Sequence, residues 1–420
     1  MTIRVRTFDE LVEAVGERKF DRPPALVANA HVTGLGVARA LSAHDVPVIT
    51  LDRTPDGVAP GSSAVDLAGS VTYPLDDLDG FRRDIETIAD AMDHEPVAFG
   101  CMDEWVHAFA DAEPDGVRLS FAGREVIDGV LDKTALYARC ADLDVPFPET
   151  YRVEETAGDG DGPPIRTAEE AAEELGFPLV LKPALKREFE EAVGTNVIEV
   201  TDHEEYQEVV TGAAEQGIRL MAQEKVSVAE GEDRSLASYV SPAGDAMALV
   251  GNARVRYPGG YGTSCVVDVV DDDTLRERAL SVLSDANYHG ISESEFVYDT
   301  DREEYVLLDV NTRPWKWIGL PVAAGLNLPY AAYAEAVGKS YEPDGPHDRR
   351  WVFLADYVKR LGTDDRFTDV LSREQWLAIA RGDVHGEADV VTGVFDPEDP
   401  EPTFQLVRTE LGTREYYCAC

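Results

Sequence analysis

The stretch that decides the fold is Ile291–Leu320, ISESEFVYDTDREEYVLLDVNTRPWKWIGL. Residues Ile291–Tyr298 alternate polar and apolar side chains, and this alternation predicts a half-buried strand. The polar run from Asp299 to Glu304 predicts a turn, and Tyr305–Asn311 predicts a second strand. The segment therefore predicts a β-hairpin.

Three oxygen-bearing side chains share one patch of this hairpin. With the turn centred near Arg302, Glu295 falls roughly opposite Asp309, and Asn311 shares the face of Asp309 because side chains alternate across a strand. Oxygen ligands without His or Cys suit Mg2+. Arg313 adds a fixed cation just past the strand, and phosphoryl transfer requires both metal and cation. If only the carboxylates are considered, a solvated acidic hairpin explains them as an alternative to a metal site. The Asn-Thr-Arg-Pro-Trp sequence at the end of the hairpin favours the metal site.

The composition is that of an acidic folded protein. A length of 420 residues allows about two or three domains. A net charge of −43 argues against nucleic acid and anionic membranes as partners. The apolar content separates the chain from disordered acidic proteins. The charge is typical of a hydrated surface in a halophile, where molar salt screens self-repulsion.

The sequence also predicts a compartment. No apolar run is long enough for a signal core or a bilayer span, so we expect a cytoplasmic protein. The five cysteines form no CxxC pair, and no His lies beside them at ligand spacing, which predicts reduced structural thiols. They are Cys101, Cys140, Cys265, Cys418 and Cys420.

The N-terminal part predicts a parallel sheet. A strand at Ala25–Asn29, a helix to about Ala43 and a strand at Val46–Leu51 form a βαβ unit. The glycines of Gly34-Leu35-Gly36 could help to bind an anion at the helix start. They do not complete a GxGxxG motif, and packing of the helix against the strand explains them as well. A Rossmann dehydrogenase is accordingly the last alternative.

Two acidic residues follow a later strand of this part. Asp103 and Glu104 come just after the predicted strand Val97–Gly100, at the position where open α/β sheets bind ligands. Complementing a helix macrodipole is an equally good explanation for these carboxylates.

The middle of the chain places two lysines beside predicted elements. Asp132 is a predicted N-cap, with a helix from Lys133 to about Leu143. We predict a buried strand at Phe177–Pro183, with Lys182 near its C-terminal end. The strand Leu220–Val228 is next, and a turn is predicted at Glu230–Arg234.

Two arginines flank a glycine- and hydroxyl-rich segment, Tyr257–Ser264. That segment could present backbone N–H groups to an anion, or could be a hairpin turn. Arg254 and Arg256 could clamp a carboxylate as bidentate donors, or could pair with the abundant acids. Beyond residue 341 we predict helices at Trp351–Leu361 and Arg373–Arg381 and an acidic loop at Asp396–Pro402.

Several motifs occur in a fixed order: Asp132-Lys133, Leu181-Lys182-Pro183, Gln223-Glu224-Lys225-Val226, Glu295, and Leu308-Asp309-Val310-Asn311-Thr312-Arg313-Pro314-Trp315. This ordered set resembles the ATP-grasp superfamily, in particular its carboxylate–amine ligase and carbamoyl-phosphate-synthase-like branch. The resemblance implies a fold that combines α/β and α+β parts. Residues 1–124 would form a Rossmann-like pre-ATP-grasp domain, 125–340 a two-subdomain ATP-grasp domain, and 341–420 a C-terminal appendage.

The resemblance also implies roles for the matching residues. Lys133 and Lys182 would meet ATP phosphates, and Arg313 would stabilise the γ-phosphoryl group or the developing acyl phosphate. The interpretation of Arg254 as a clamp on the substrate carboxylate fits this chemistry. At the nucleotide, the backbone groups of Lys225 and Val226 would hydrogen-bond adenine, with Glu224 beside them, and Glu232 would bind the ribose. The metal ligands would be Glu295, Asp309 and Asn311, which would hold Mg2+ (or Mn2+).

Three departures from the family pattern stand out. Asp309 occupies a position where relatives usually carry Glu. The loop after Lys182 lacks the usual glycines, and Lys186 and Arg187 could supply cations instead. The run Ser62-Ser63-Ala64 lacks an arginine that often follows the serine in relatives.

The function implied is an ATP- and Mg2+-dependent ligase. It would join a small-molecule carboxylate to an amine through an acyl phosphate and release ADP and phosphate. The alternatives are a grasp enzyme that transfers phosphate to another acceptor and a non-catalytic nucleotide-binding regulator. A homodimer is possible, and the C-terminal appendage could be a lid, a substrate-specific element or a dimer surface.

Overall fold

The N-terminal part folds around a parallel sheet with the strand order β3-β2-β1-β4-β5, as the βαβ unit predicts. The computed structural model describes residues 5–158, 162–183, 197–260, 262–384 and 389–411. The strands are β1 (Ala25–Ala28), β2 (Val48–Asp52), β3 (Leu67–Ser70), β4 (Val97–Gly100) and β5 (Arg118–Leu119). The helices here are α1 (Phe8–Glu17), α2 (Val32–Ser42), α3 (Leu78–Asp90), α4 (Asp103–Ala112) and α5 (Arg124–Leu131).

Close packing explains the Gly34-Leu35-Gly36 segment. A Cβ atom on Gly34 would lie 2.1 Å from the Asn29 carbonyl oxygen, and one on Gly36 would lie 2.7 Å from the Cγ2 atom of Ile318. Neither position therefore accepts a side chain without a shift. These contacts support the packing interpretation over a dinucleotide loop.

A smaller second sheet follows, in the order β7-β6-β10-β8-β9. Its strands are β6 (Thr150–Val153), β7 (Ile165–Arg166), β8 (Leu179–Pro183), β9 (Ile198–Val200) and β10 (Leu220–Glu224). The helix α6 (Lys133–Asp142) precedes this sheet, and α7 (Ala168–Leu175) and α8 (His203–Glu215) pack against it. Asp132 caps α6 as predicted, because its side chain accepts a hydrogen bond from the Thr134 amide at 2.8 Å. Lys186 and Arg187 lie outside the described residues.

The third sheet has seven strands in the order β15-β14-β11-β12-β13-β16-β17, in which β16 (Arg350–Val352) and β17 (Val390–Thr392) come from the C-terminal segment. Its strands up to residue 311 are β11 (Val228–Val240), β12 (Ala246–Tyr257), β13 (Thr263–Val270), β14 (Gly290–Asp299) and β15 (Glu304–Asn311). Between and after them lie α9 (Asp273–Asp285), α10 (Gly319–Ala323) and α11 (Leu328–Ala336). The segment Tyr257–Ser264 contains the β12–β13 hairpin turn, as one of its two interpretations predicts.

The predicted turn at Glu230–Arg234 is wrong, because β11 runs through these residues. Its pairing with β14 is irregular between Val228 and Asp233, and Gly231 has a φ of 82°. A glycine at positive φ lets a strand absorb such an irregularity without ending, which is how a polar, glycine-containing run stays extended.

The C-terminal segment extends this same sheet. It contains β16 (Arg350–Val352), α12 (Leu354–Leu361), α13 (Arg373–Arg381), β17 (Val390–Thr392) and α14 (Glu401–Leu411). The predicted helix at Trp351–Leu361 therefore begins late, because Trp351 pairs with Val267 of β13. The predicted loop Asp396–Pro402 ends early, where α14 begins. The boundaries at 124/125 and 340/341 stay predictions.

Buried apolar side chains join the parallel sheet to the seven-stranded sheet, and one cluster includes Val27, Val267, Trp317 and Trp351. Hydrogen bonds between the C-terminal segment and the N-terminal part add to this contact. Asp399 accepts them from the Ser62 hydroxyl at 2.6 Å, the Ser63 amide at 2.8 Å and the Arg39 guanidinium at 2.9 Å.

The cysteines behave as predicted where they are described. Cys101, Cys140 and Cys265 are buried free thiols, and Cys418 and Cys420 lie outside the described residues. In the ranges that the structure covers, no helix combines the length and apolar character needed to cross a membrane.

Candidate functional site

The predicted hairpin forms with the predicted register. Glu295 of β14 lies directly opposite Asp309 of β15, and Asn311 lies opposite Glu293. The Asn311 side chain donates a hydrogen bond from Nδ2 to Oε1 of Glu295 at 2.7 Å. The three predicted metal ligands are therefore neighbours on one hairpin, as the alternation of side chains requires.

Lys133 reaches this patch from a different element. Its Nζ atom lies 2.8 Å from Oδ1 of Asp309, and the lysine and aspartate side chains are 8% and 17% exposed. Lys133 is the first residue of α6, and the Asp132 cap fixes where that helix begins. The predicted phosphate-binding lysine thus lies beside the predicted metal ligands.

Lys182 is linked to the same hairpin through a chain of hydrogen bonds. Its ammonium donates to Oε1 of Gln223 at 2.7 Å, and Gln223 Nε2 donates to the Tyr137 hydroxyl at 3.1 Å. Tyr137 in turn donates to the carbonyl of Leu308 at 2.9 Å, next to Asp309. Side chains from α6, β8 and β10 thereby fix the end of β15. Sequence reasoning identified Gln223 only as part of a motif and missed Tyr137.

Glu293 is a member of the site that sequence reasoning missed. Its Oε2 atom accepts a hydrogen bond from Asn311 Nδ2 at 3.2 Å. Burial, with the neighbouring Glu295 carboxylate, raises the pKa of Glu293 to about 8, although Arg313 opposes the shift. The signal was present in the alternation Ser292-Glu293-Ser294-Glu295, which places both glutamates on one face.

Arg313 lies at the far end of the hairpin and is held by Asp103. Its Nε atom donates to Oδ1 of Asp103 at 2.6 Å, and its Nη1 atom donates to the carbonyl of Pro314 at 3.1 Å. Burial lowers the pKa of the guanidinium, but the neighbouring carboxylates of Asp103, Glu293 and Glu104 together outweigh burial and raise that pKa above its usual value. Of the two interpretations of Asp103, neither anticipated an ion pair with the predicted catalytic arginine.

The predicted adenine segment connects two sheets. Strand β10 of the second sheet ends at Glu224, and β11 of the third sheet begins at Val228, so Lys225 and Val226 lie in the connection. The Glu224 carboxylate accepts hydrogen bonds from the Glu149 amide and from Arg302.

Lys225 contacts the second sheet through its side chain. Its ammonium pairs with Glu199 of β9 at 2.5 Å. The predicted adenine contact uses backbone groups of Lys225 and Val226, whereas this ion pair uses the lysine side chain.

The two predicted arginines on β12 differ in their surroundings. Arg254 lies 3.6 Å from Glu232 and 3.8 Å from Asp268, so it pairs with acidic residues at the sheet surface. Arg256 pairs with Asp233 at 2.9 Å and places Nη2 3.9 Å from Oε2 of Glu295. Arg256 is therefore the arginine of β12 that directly approaches the predicted metal ligands. The carboxylate-binding role of Arg254 stays a prediction.

The predicted ribose ligand, Glu232, lies within β11 instead of in a turn. Its carboxylate accepts a hydrogen bond from the Tyr305 hydroxyl at 3.2 Å and lies 3.5 Å from Arg234. The corrected location leaves Glu232 on the third sheet, close to where the connection from β10 enters.

Comparisons with known proteins identify the fold. No protein-family model matches the sequence, and no curated protein matches it. N5-carboxyaminoimidazole synthetase from Staphylococcus aureus is 12% identical over 84% of this chain and 88% of its own, with a TM-score of 0.61. The biotin carboxylase domain of Hydrogenobacter thermophilus 2-oxoglutarate carboxylase is 14% identical over 77% and 71%, with a TM-score of 0.58. The chain has the ATP-grasp fold.

A third similar structure widens the range of chemistry found on this fold. L-Amino acid ligase from Bacillus licheniformis is 14% identical over 78% of this chain and 75% of its own, with a TM-score of 0.53. The S. aureus enzyme has also been solved with ADP, and the H. thermophilus domain was solved as a dimer with MgADP and bicarbonate. The predicted fold class is confirmed, and at these identities the likeness concerns the fold alone.

The donor set at the hairpin fits a hard divalent cation. In the described part of the chain, no group of three or more His, Cys, Asp or Glu side chains could hold a metal ion by itself. The predicted ATP-grasp set instead combines two carboxylates, Glu295 and Asp309, with the Asn311 amide. Because Glu293 and Glu295 repel each other in a buried setting, a divalent cation beside them would offset that repulsion. Oxygen donors of this kind match Mg2+.

Proposed function

We propose that the protein is an ATP- and Mg2+-dependent ligase that joins a small-molecule carboxylate to an amine through an acyl phosphate. The observation that carries this proposal is the convergence of Lys133, Asp309, Glu295 and Asn311 on one hairpin, with Arg313 at its end. Two buried cations beside a set of oxygen ligands match the charge of a phosphoryl group bound with a metal. The presence of ADP and MgADP in similar structures supports the choice of nucleotide.

The nucleotide would lie between the second and third sheets. Backbone groups of Lys225 and Val226 would hydrogen-bond adenine, with Glu224 beside them and Glu232 at the ribose. This assignment is supported by the connection between β10 and β11, which crosses from one sheet to the other at these residues.

Lys133 and Lys182 would hold the phosphates from two sides. Lys133 lies in the pair with Asp309, and Lys182 is oriented by Gln223. Glu295, Asp309 and Asn311 would hold Mg2+ (or Mn2+). When bound there, the metal would neutralise phosphate oxygens and align them for transfer.

The chemistry then requires positioning and charge stabilisation. A carboxylate oxygen bonds to the γ-phosphorus as the bond to the ADP oxygen breaks. The amine nitrogen next bonds to the acyl carbon, phosphate leaves, and the nitrogen loses a proton. Arg313 would stabilise the charge on the transferred group, with Arg254 on the carboxylate, and the protein forms no covalent bond to either substrate.

A screen for ADP release tests the proposal. Wild-type protein in strong KCl with Mg2+ and ATP is given amino acids and other small carboxylates and amines, singly and in pairs, and ADP and amide are measured. We expect ADP and amide in matching amounts, and only when both acceptors are present. ADP with a phosphorylated product and no need for amine would instead establish transfer to another acceptor. Nucleotide binding without any acceptor-dependent ADP would favour the regulator.

The proposed setting of this activity is cytoplasmic and homodimeric. The dimeric H. thermophilus domain supports a dimer by fold analogy alone. Light scattering in strong KCl measures the mass directly, and a monomer across the concentration range would contradict this part.

A further inference from the structure

A largely buried ion pair joins helix α4 of the N-terminal part to the end of the proposed catalytic hairpin. Asp103 is the first residue of α4, and Arg313 follows the end of β15. The Nε atom of Arg313 donates to Oδ1 of Asp103 at 2.6 Å, and the two side chains are 8% and 21% exposed. The pair therefore links two parts of the chain that are far apart in sequence, through a short and charge-assisted bond.

The position of Asp103 is fixed by the packing of α4 against β4. A Cβ atom on Gly100, the last residue of β4, would lie 2.3 Å from the Val106 amide nitrogen. The helix thus begins tightly against the end of the strand, at the carboxyl edge of the parallel sheet. Asp103 lies at this tightly packed junction of strand and helix, so its backbone is held in place and its carboxylate can fix the position of a partner side chain.

Two hydrogen bonds define the orientation of the Arg313 guanidinium. Nε is held by Asp103, and Nη1 is held by the carbonyl of Pro314. A guanidinium is planar and carries its N–H donors in a fixed fork, so fixing Nε sets the direction of the outer donors. The remaining donors are then oriented before a ligand arrives.

We propose that Asp103 is a positioning residue that orients Arg313 for phosphoryl transfer, so that the N-terminal domain completes the catalytic centre. This inference rests on the proposed function for the role of Arg313. Asp103 acts through Arg313 and need not touch substrate. The centre is accordingly built across two domains, and the parallel sheet contributes to turnover through one carboxylate.

The kinetic consequence is a split between binding and turnover. Arg313 is assigned to the charge of the transferred group, so its misplacement affects the transition state more than ATP binding. In Asp103→Asn we expect kcat to fall about 10- to 100-fold, while the KM for ATP changes less than about twofold. Asp103→Glu keeps the charge and should recover part of kcat.

Asp111→Asn is the matched control. Asp111 lies on the same helix and also pairs with an arginine, Arg124, and neither residue belongs to the proposed site. The Asp111→Asn variant should leave kcat unchanged. A double variant, Asp103→Ala with Arg313→Ala, should be no slower than Arg313→Ala alone, because both changes remove one function. A wild-type kcat in Asp103→Asn, or a loss that adds to that of Arg313→Ala, would overturn the inference.

A spectroscopic readout keeps the test independent of activity. In protein labelled with 15N-arginine, the Nε–H signal of Arg313 is identified by its absence in Arg313→Lys. We expect Asp103→Asn to shift this signal and Asp111→Asn to leave it in place. If the wild type lacks ligase activity, the proposed function fails while this measurement still tests the ion pair. An unshifted signal in folded Asp103→Asn would refute the positioning role.

Discussion

The Nζ atom of Lys133 lies 2.8 Å from Oδ1 of Asp309, and both side chains are largely buried. Lys133 begins α6, whereas Asp309 lies near the end of β15, so the pair connects a helix to the hairpin at the proposed site. A buried ion pair is costly to break, because the partner left behind keeps its charge without compensation. The pair therefore links the stability of the fold to the chemistry of the site.

Asp309→Asn tests this link. We expect acceptor-dependent ADP release to fall at least about 100-fold, because a metal ligand and its charge are lost. The free energy of unfolding should also fall, by about 3 kcal/mol, since Lys133 stays buried without its anion. Denaturant unfolding and the ADP assay measure the two effects. The exposed Asp301 of the same hairpin supplies the control Asp301→Asn, and near-normal activity in Asp309→Asn would show the metal assignment to be wrong.

Asn311 should contribute directly to metal affinity. Replacing it by Ala removes one oxygen donor and also the hydrogen bonds to Glu293 and Glu295. We expect the Kd for Mn2+, measured by electron paramagnetic resonance in the presence of ADP, to rise about 10- to 100-fold. Asn311→Asp retains an oxygen ligand and should lose less affinity. Equal Kd values in all three proteins would exclude Asn311 as a ligand.

Gln223 should orient Lys182 toward the nucleotide. Gln223→Met keeps the length of the side chain but removes the acceptor for Lys182 and the donor to Tyr137. We expect the KM for ATP to rise and the free energy of unfolding to fall by about 1–3 kcal/mol, because buried polar groups lose their partners. The exposed Gln216 provides the control Gln216→Met. An unchanged KM would separate Lys182 from nucleotide binding.

Asp52 should make stability depend on pH. Burial raises the pKa of Asp52 to about 6, although the amides of Ala30 and Arg53 donate to it and oppose the shift. Because the folded state holds this proton more tightly than the unfolded state, its contribution to stability falls as pH rises from about 4 to about 6. Over this pH range, the titration of Asp52 lowers the free energy of unfolding by about 3 kcal/mol.

Asp52→Asn removes this titration. Relative to the wild type, the variant should gain stability as pH rises through that window and show no further relative change above it. Thermal unfolding in constant KCl at several pH values measures the difference. Parallel curves for the two proteins would show that Asp52 does not titrate in this range.

Salt should stabilise the protein. The net charge of −43 produces self-repulsion in the folded state, and salt screens it over a Debye length of about 3 Å at 1 M. We therefore expect the thermal midpoint to rise between dilute and molar KCl. Potassium glutamate, as a second salt of the same ionic strength, distinguishes screening from a specific effect of chloride. A midpoint that does not move would contradict the interpretation of the acidic surface.

Local patterns predicted much of the fold. The hairpin of β14 and β15, the Asp132 cap and the parallel N-terminal sheet all follow from short-range rules, namely strand alternation, capping and the βαβ connection. These features depend on residues close in sequence, so a single chain is enough to identify them. The ordered motifs then indicated the ATP-grasp fold.

Long-range contacts were beyond these rules. The strand β16 forms because Trp351 pairs with Val267 of β13, and no local pattern near residue 351 indicates that partner. The ion pair between Asp103 and Arg313 likewise depends on how two domains meet. Glu293 shows the intermediate case, since its alternation was visible while its burial against Asn311 was not.

The placement of β16 and β17 has a consequence for synthesis. Both strands belong to the seven-stranded sheet, yet they are the last of its strands along the chain. On the ribosome, the parallel N-terminal sheet can assemble from the residues that emerge first. Strand β13 can pair with β12 on one side, but its other edge waits for β16 until residue 352 has left the exit tunnel. During that interval one edge of the sheet stays open to pairing with other nascent chains. High acidity also benefits the protein here, because like charges keep unfinished chains apart.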